Sequence, residues 1–265
     1  KLGCPDRANG SHPRLWLNLV AELDVTEDAL LGGRIRIRQP AKGYRVNVDT
    51  LLLAAAVEAS NGMRLLEAGC GVGAALLAVA VRNKNTALVG IERETNIAQI
   101  ARENVGLNAM SPRVEIVTGD ALDKQANYGV FDGVFFNPPF DADGDGRAPA
   151  ETRRHAHIGD VPIDAWIAAL ADRLKGGAAL TLIHRASKLP EIFAAIESRL
   201  GGAEVIPIRP RANEPAKRVI VRARKGSRAA LKLLKGLDLH DASGAKYAPE
   251  ADAILKGEGA LTWAD

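Results

Sequence analysis

The chain has few cysteines, no secretory leader pattern and no long apolar run. Cys4 and Cys70 are too few for a disulfide framework, so a reducing compartment such as the cytoplasm is expected. Residues 1–11 lack the apolar core of a signal peptide. Charges such as those in residues 82–84 keep every apolar stretch well below the roughly 20 residues that a membrane-spanning helix needs. These absences exclude a disulfide-rich secreted scaffold and predict no membrane insertion.

The chain also lacks a strong excess of one charge, yet its basic residues are clustered. The formal net charge is +3, and 47% of the 265 residues are hydrophobic, which is enough for a sizeable core. Residues 34–45 contain no acid, and residues 209–228 contain only Glu214. Such clusters favour a polyanionic partner such as RNA, although solvated strand faces would explain them equally well. The candidate RNA-contacting residues are Arg36, Arg38, Lys42, Arg45, Arg211, Lys217 and Arg218.

Strand-like and helix-like apolar segments alternate along most of the chain. A buried helix is expected at residues 50–57, ending near Asn61-Gly62. Strands follow at residues 64–67, 87–92, 114–117, 131–136 and 179–184, and helices at residues 74–81, 96–108, 163–174 and 189–200. This alternation predicts an α/β fold with a doubly wound, mainly parallel sheet.

The pattern changes near the end of the chain. Residues 203–208 and 218–223 are strand-like with no helical repeat between them, which predicts an antiparallel edge pair and a seven-stranded sheet in all. A strand near Leu239-His240 and a short helix are expected in the tail. Residues 1–23 show no clear period and are predicted to be an extension, while residues 24–265 are predicted to form a single domain.

A glycine turn follows the first strand of the alternating region. Its sequence is Glu67-Ala68-Gly69-Cys70-Gly71-Val72-Gly73, and its glycines allow the backbone to pass close to a ligand. The third glycine comes one residue too early for the dinucleotide fingerprint, and the preceding acid would repel a phosphate. Cys70 has no evident partner base, so it is expected to be a small filler and not a nucleophile.

Acids also follow the next two strands. Glu92, with Arg93 after it, ends the second strand, and Asp120-Ala121 follows the third. Three carboxylates at successive strand ends suit a positively charged ligand that is rich in hydroxyl and amino donors. The whole pattern resembles motif I and its companions in class I S-adenosylmethionine-dependent methyltransferases, which have a Rossmann-like fold. The resemblance implies S-adenosylmethionine as cofactor, with Glu92 at its ribose hydroxyls and Asp120 at its adenine amino group.

Asn137-Pro138-Pro139-Phe140 follows the fourth strand, at the sheet edge where ligands of doubly wound folds bind. An amide oxygen and a proline carbonyl can accept hydrogen bonds from a planar NH2 group, while an aromatic ring stacks on the attached plane. The motif resembles the Asp/Asn-Pro-Pro-Tyr/Phe sequence of methyltransferases that act on adenine N6, guanine N2 or glutamine N5. We therefore expect the four residues to form the catalytic motif, with Asn137 also next to the cofactor.

A further resemblance concerns the residues before the glycine turn. These segments are similar to the N-terminal part of bacterial tRNA(Val) adenine-N6 methyltransferases: Gln39-Pro40-Ala41-Lys42-Gly43-Tyr44-Arg45 and Asp49-Thr50-Leu51-Leu52-Leu53-Ala54. With residues 137–140 and 217–226, the similarity covers residues 26–255. The family implies N6 methylation of an adenine beside the anticodon of a tRNA. It also implies that Tyr44, Arg45 and Asp49 border the cofactor and the incoming base.

Other functions stay open from the sequence. Guanine N2 methylation of ribosomal RNA and glutamine N5 methylation of a release factor use the same four-residue motif, and an idle RNA-binding module could retain the fold. The basic segments favour RNA over a protein substrate. No metal site is predicted, because the acidic loop at residues 141–146 has Thr152 where a calcium loop needs a bidentate Glu. The number of subunits is not determined by these patterns.

Overall fold

A computed structural model describes residues 24–43, 45–139 and 161–263. The strands are β1 Val25–Leu30, β2 Ile35–Pro40, β3 Arg64–Ala68, β4 Ala87–Glu92, β5 Val114–Thr118, β6 Phe131–Phe136, β7 Leu174–Arg185, β8 Leu200–Arg211, β9 Arg218–Lys225, β10 Lys232–Leu233 and β11 Leu237–His240. The helices are α1 Val48–Ala56, α2 Ala74–Arg82, α3 Thr95–Leu107, α4 Ile163–Asp172, α5 Leu189–Glu197 and α6 Pro249–Leu255, with a 3-10 helix at Ala186–Lys188.

The main sheet has nine strands in the order β10-β8-β9-β7-β6-β3-β4-β5, and β11 also pairs with β8. All neighbouring strands are parallel except β9, which is antiparallel to both β7 and β8. The predicted α/β fold and its antiparallel pair are therefore confirmed. The seven long strands are those expected, and the short strands β10 and β11 extend the sheet beyond β8.

Helices cover both faces of this sheet, as expected for strands whose side chains are apolar on both sides. One core cluster joins α1, α2, α3 and α6 to residues such as Leu65 and Phe135, and the other joins α4 and α5 to residues such as Leu66 and Phe136. Successive residues of β3 and of β6 thus enter opposite cores. Among the described residues, no helix combines the length and the apolar character needed to cross a bilayer.

Two local differences from the predictions have clear causes. Helix α1 ends at Ala56, before the Asn61-Gly62 signal, because Val57 is already extended. Strand β7 begins at Leu174 and not at residue 179, because Leu174 pairs with Phe131 and an irregularity in the β6–β7 register absorbs the intervening residues. Glycines in this part of β7 accommodate such an irregularity with little backbone strain.

A two-stranded hairpin was not predicted. Within the described residues, strands β1 and β2 pair only with each other, from Val25 opposite Pro40 to Leu30 opposite Ile35. Ile35 and Ile37 are fully buried beneath the hairpin, while Arg36 and Arg38 point outward. The hairpin is thus a separate layer whose apolar side packs on helices α2 and α3.

Candidate active site

The glycine turn and the Asn137 motif leave the sheet side by side. Strands β3 and β6 are direct neighbours, and the last residue of β3, Ala68, lies opposite the last residue of β6, Phe136. The strand order reverses between these two strands, because the chain builds β4 and β5 on one side of β3 and β7 on the other side of β6. Such a switch point opens a crevice at the carboxyl edge of a parallel sheet. Gly69 and Asn137 both border this crevice.

The glycine turn is held from below by strand β4. The N–H groups of Gly69 and Cys70 both donate to the carbonyl oxygen of Ile91, at 2.9 and 3.0 Å. The N–H of Gly71 donates to the Glu92 carboxylate at 2.9 Å. Gly69, Gly71 and Gly73 have φ values of 68°, 54° and 83°, a region that side chains with a Cβ rarely adopt. The turn therefore requires glycine at these positions.

Glu67 is a buried acid directly below the turn. Only 4% of the residue is exposed, and its Oε2 atom has no hydrogen-bond partner among the described residues. Burial raises the pKa of the Glu67 carboxyl well above its usual range; the backbone N–H of Leu76 opposes this rise, and the charge of Glu92 adds to it. The site thus contains a carboxylate acceptor that the described part of the protein does not satisfy by itself.

The other two predicted acids occupy the next two strand ends. Both oxygens of Glu92 accept backbone hydrogen bonds, from Gly71 and from Glu94, and Glu92 is 8% exposed. Asp120 is exposed, and its side chain accepts a hydrogen bond from the N–H of Leu122 at 2.8 Å. Ala121 is buried beneath this bend, whereas Arg93 is exposed beside Glu92. Three acids therefore line one edge of the crevice.

Cys70 is buried inside the turn. Burial raises the pKa of its thiol well above the usual range, and the nearby charges of Glu67 and Glu92 raise it further. Strand β4 makes room for the sulfur at Gly90, where an added Cβ would lie 2.8 Å from Cys70 Sγ. A thiol that is hard to ionise is a poor nucleophile, which agrees with the expectation that Cys70 fills space.

The Asn137 motif begins where β6 ends. Asn137 is half-buried with a buried side-chain oxygen, Pro138 is buried and Pro139 is exposed. Phe136, directly before the motif, is fully buried and holds the start of the motif in the core. The two prolines stop the strand, because proline has no N–H to continue the ladder.

Trp166 is a site residue that the sequence analysis missed. Its ring stacks on Phe136, with centroids 5.6 Å apart and planes 5° apart. An added Cβ at Gly69 would lie 3.3 Å from the same ring, so the indole touches both the glycine turn and the base of the Asn137 motif. Its Nε1–H is buried and donates to no acceptor among the described residues. Trp166 lies in the helix expected at residues 163–174, and no motif in the sequence marks it as a site residue.

Two predicted site residues from opposite ends of the chain meet in an ion pair. Arg218 Nε donates to Asp49 Oδ2 at 2.9 Å, and the Asp49 side chain is 9% exposed. Asp49 lies in the first turn of α1, and Arg218 begins β9 opposite Arg185 at the end of β7. The pair therefore lies at the carboxyl edge of the sheet, on the side of β7.

Acids of the hairpin form ion pairs with three of the four RNA-contacting candidates in the first basic segment. Glu27 on β1 pairs with Arg36 at 2.6 Å and with Arg38 at 3.5 Å. Asp28 pairs with Arg45 at 2.7 Å. The absence of acids from residues 34–45 was therefore misleading, because β1 places acids directly opposite. The remaining candidate, Lys42, is exposed.

The second basic segment differs from the first in its ion pairing. Arg211 and Lys217 are exposed at the β8–β9 connection, and Arg211 has only a 3.7 Å contact with Glu214. Strand β8 is parallel to β7, so this connection lies at the same edge as Asn137. These two side chains and Lys42 are the exposed members of the predicted RNA-contacting set that form no ion pair shorter than 3.7 Å within the described residues.

Several predicted residues lie outside the described part of the chain. They are Tyr44 and Phe140, the extension at residues 1–23 and the acidic loop at residues 141–146. Within the described ranges, no group of three or more His, Cys, Asp and Glu side chains is arranged to hold a metal ion.

Comparison with known proteins identifies the class. A family model described as the methyltransferase small domain matches residues 43–154. The crystal structure of a predicted O-methyltransferase from Agrobacterium tumefaciens has a TM-score of 0.68 and 31% identity, and covers 80% of this chain and 98% of that protein. The chain therefore belongs to the class I S-adenosylmethionine-dependent methyltransferases.

Two relatives by sequence are both described as tRNA1(Val) (adenine(37)-N6)-methyltransferases. The one from Porphyromonas gingivalis is 29% identical over 229 residues, which are 82% of this chain and 89% of that protein. The one from Actinobacillus pleuropneumoniae is 33% identical over 97 residues, so the matched part is 36% of this chain and spans only 41% of that relative.

The crevice fits the cofactor of this class. An added Cβ at Gly71 would meet nothing within 4 Å, so the turn is open to a ligand on that side. Glu67 offers a buried acceptor that lacks a donor in the part of the chain that is described. S-adenosylmethionine carries amino and hydroxyl donors and a positive sulfonium, which suit Glu67, Glu92 and Asp120. When bound, it supplies a methyl group on an electrophilic sulfonium.

Proposed function

We propose that this protein methylates N6 of an adenine in RNA, and that its substrate is the anticodon-loop adenine of tRNA(Val). The observation that carries the proposal is the position of Asn137-Pro138-Pro139 beside the glycine turn, at the ends of paired strands. The sequences of the two tRNA-methylating relatives support the same substrate. The description of the Agrobacterium protein names an oxygen acceptor. An amide oxygen and a proline carbonyl suit an NH2 group better, since both can only accept.

One side-chain oxygen and one backbone carbonyl of the motif orient the amine. The Asn137 side-chain oxygen and the Pro138 carbonyl accept the two amine hydrogens, which draws the nitrogen lone pair out of conjugation and toward the methyl donor. The Asn137 oxygen is buried, where a hydrogen bond is electrostatically stronger than in water. Phe140, on the sequence argument alone, stacks on the base. No strongly basic residue is required, because the amine loses its proton after methyl transfer.

The charged rim of the crevice binds the RNA backbone. Lys42, Arg211 and Lys217 are exposed cations near the carboxyl edge, where they can contact phosphates on either side of the target base. A base within a folded loop must rotate out of its stack to reach Asn137. Salt should therefore weaken RNA binding strongly.

The test is methyl transfer from labelled S-adenosylmethionine to unmodified total tRNA, followed by nucleoside mass spectrometry. We expect N6-methyladenosine in tRNA(Val), and a loss of roughly 10²-fold or more in kcat for Asn137→Ala, the size seen when one preorganised polar contact is removed. Asn61→Ala, in an exposed turn at the opposite sheet edge, is the control and should keep full activity.

Other reaction products would assign a different substrate to the protein. Detection of N2-methylguanosine would identify guanine, and not adenine, as the methylated base. Methylation of a release factor without RNA methylation would identify a protein, and not RNA, as the substrate. Cofactor binding without transfer to any of these substrates would support an idle RNA-binding module. Wild-type turnover in Asn137→Ala would refute the role of the motif.

A further inference from the structure

Asn104 in helix α3 and Asn108, the residue directly after this helix, form hydrogen bonds with the backbone of strand β2 in the hairpin. Asn104 Oδ1 accepts from the N–H of Arg38 at 2.7 Å, and Asn104 Nδ2 donates to the Arg38 carbonyl at 2.8 Å. One turn later, Asn108 makes the same pair of bonds with Arg36, at 2.9 and 2.7 Å. Strand residues two apart direct their backbone N–H and C=O groups to the same side of the strand. The distance between two such residues is close to the distance between side chains four residues apart along a helix.

Asn104 makes one bond that Asn108 does not. Its Nδ2 also donates to the carbonyl oxygen of Val72 at 2.9 Å, within the glycine turn. The second bond of Asn108 Nδ2 goes instead to the backbone carbonyl of Asn104 in helix α3. Asn104 is completely buried, and its amide thereby joins the hairpin, helix α3 and the glycine turn.

The hydrogen bond from Asn104 to the Val72 carbonyl holds one peptide plane of the glycine turn. The peptide plane between Val72 and Gly73 is held on one side by Asn104, and on the other by the Gly73 N–H, which donates to the Cys70 carbonyl at 2.8 Å. Helix α3 also packs on this point, since an added Cβ at Gly73 would lie 3.6 Å from the Cβ of Ala101. Rotation of this plane would carry Gly71 with it.

We propose that Asn104 is a positioning residue for the cofactor, which sets the glycine turn by fixing the Val72 carbonyl and ties that turn to the hairpin. A backbone carbonyl that loses a side-chain donor rotates toward another partner or remains unpaired at a cost in free energy. The role depends on the methyltransferase cofactor site, and not on which RNA is methylated.

Asn104→Ala and Asn108→Ala form a matched pair, because each removes two hydrogen bonds to β2 and only the first also removes the bond to Val72. We expect Asn104→Ala to raise the Kd and the KM for S-adenosylmethionine by about tenfold, while kcat at saturating cofactor stays within about twofold of wild type. Asn108→Ala should leave the cofactor Kd within about twofold. Calorimetric titration with S-adenosylmethionine measures the Kd, and circular dichroism verifies folding.

Equal weakening of cofactor binding in both variants would overturn the proposal, since hairpin docking in general would then be responsible. An unchanged Kd in both would overturn it as well. If Asn104→Ala does not fold, Asn104→Ser replaces it, because its shorter side chain cannot span from Arg38 to Val72 and leaves a smaller cavity. Absence of cofactor binding by the wild-type protein would instead contradict the cofactor site itself.

Discussion

Single buried polar groups determine much of the behaviour of this site. Glu67 is a buried acid with an oxygen that no described residue satisfies. Asn104 satisfies three backbone groups, and Trp166 presents beside Gly69 an N–H that has no acceptor within the described ranges. Buried polar atoms without partners are uncommon in folded proteins and cost free energy. Two such atoms, on Glu67 and Trp166, lie beside one glycine turn. They indicate a surface where a ligand supplies the missing hydrogen-bond partners.

Glu67 should make the stability of the cofactor-free protein depend on pH. Its pKa is raised in the folded state from an ordinary value of 4.5, so the folded protein binds the proton more tightly. Stability from this group is full below pH 4.5 and is lost as pH rises through the raised pKa. The side chain introduced by Glu67→Gln cannot ionise, so the unfolding free energy of this variant should increasingly exceed that of wild type as pH rises above 4.5.

Urea denaturation at several pH values measures this difference. Glu115→Gln, an exposed position on β5, is the control and should follow the wild-type profile. Parallel profiles for wild type and Glu67→Gln would contradict the prediction.

Among the elements, the hairpin combines local charge pairing with long-range docking. Glu27 lies between two arginines of β2, and the Arg36 guanidinium holds the pKa of the Glu27 carboxyl below its ordinary value. The outer face of the hairpin is therefore nearly neutral in the isolated protein. The inner face docks through Ile35 and Ile37, and the β2 backbone is bonded to Asn104 of α3 and to Asn108 just after it.

Glu27→Gln should release two guanidinium groups for RNA. If the hairpin borders the RNA site, the affinity for tRNA should rise at low salt. The slope of log K against log salt should steepen by about 0.7 to 0.9 for each new phosphate contact. Filter binding between roughly 50 and 200 mM salt measures the slope. Glu115→Gln changes the net charge equally and should leave the slope unchanged, so identical slopes for the two variants would exclude the hairpin from the RNA surface.

The sequence predicted the long elements better than the hairpin. The apolar pattern of a helix or a central strand lies within its own short segment of sequence. The bounds of β4 and β6 therefore agree with the expected ranges. Strand β1 is mostly exposed and has no such pattern. The alternation Ile35-Arg36-Ile37-Arg38 was the available signal for β2, and its basic residues drew attention to a partner outside the chain instead.

At the scale of the whole molecule, strand β9 joins distant parts of the chain. It enters antiparallel between β7 and β8, and its Arg222 is only 7% exposed. Arg222 pairs with Glu204 on β8 and with Glu58 after α1, and its guanidinium lies 4.3 Å from the ring centre of Trp263. One side chain thus connects the sheet, the first helical layer and the end of the described chain.

Removing Arg222 should destabilise the fold strongly. Arg222→Met leaves Glu204, whose side chain is 14% exposed, without its cation, and should lower the unfolding free energy by about 3 to 5 kcal/mol. Arg222→Met combined with Glu204→Gln should lose less than the sum of the single variants, because the two groups interact. Urea denaturation gives these values, and additive losses would show that the pair is not coupled.

The sequence by itself determined the βα alternation, the glycine turn and the position of the Asn137 motif at a strand end. Each of these depends on the pattern of neighbouring residues, so short segments carry the information. Only the tertiary structure decided which charges are neutralised, that Trp166 touches Gly69, and that Asn104 reaches Val72. These contacts join residues far apart in the chain, such as Asp49 and Arg218, and each partner is selected by how the layers pack.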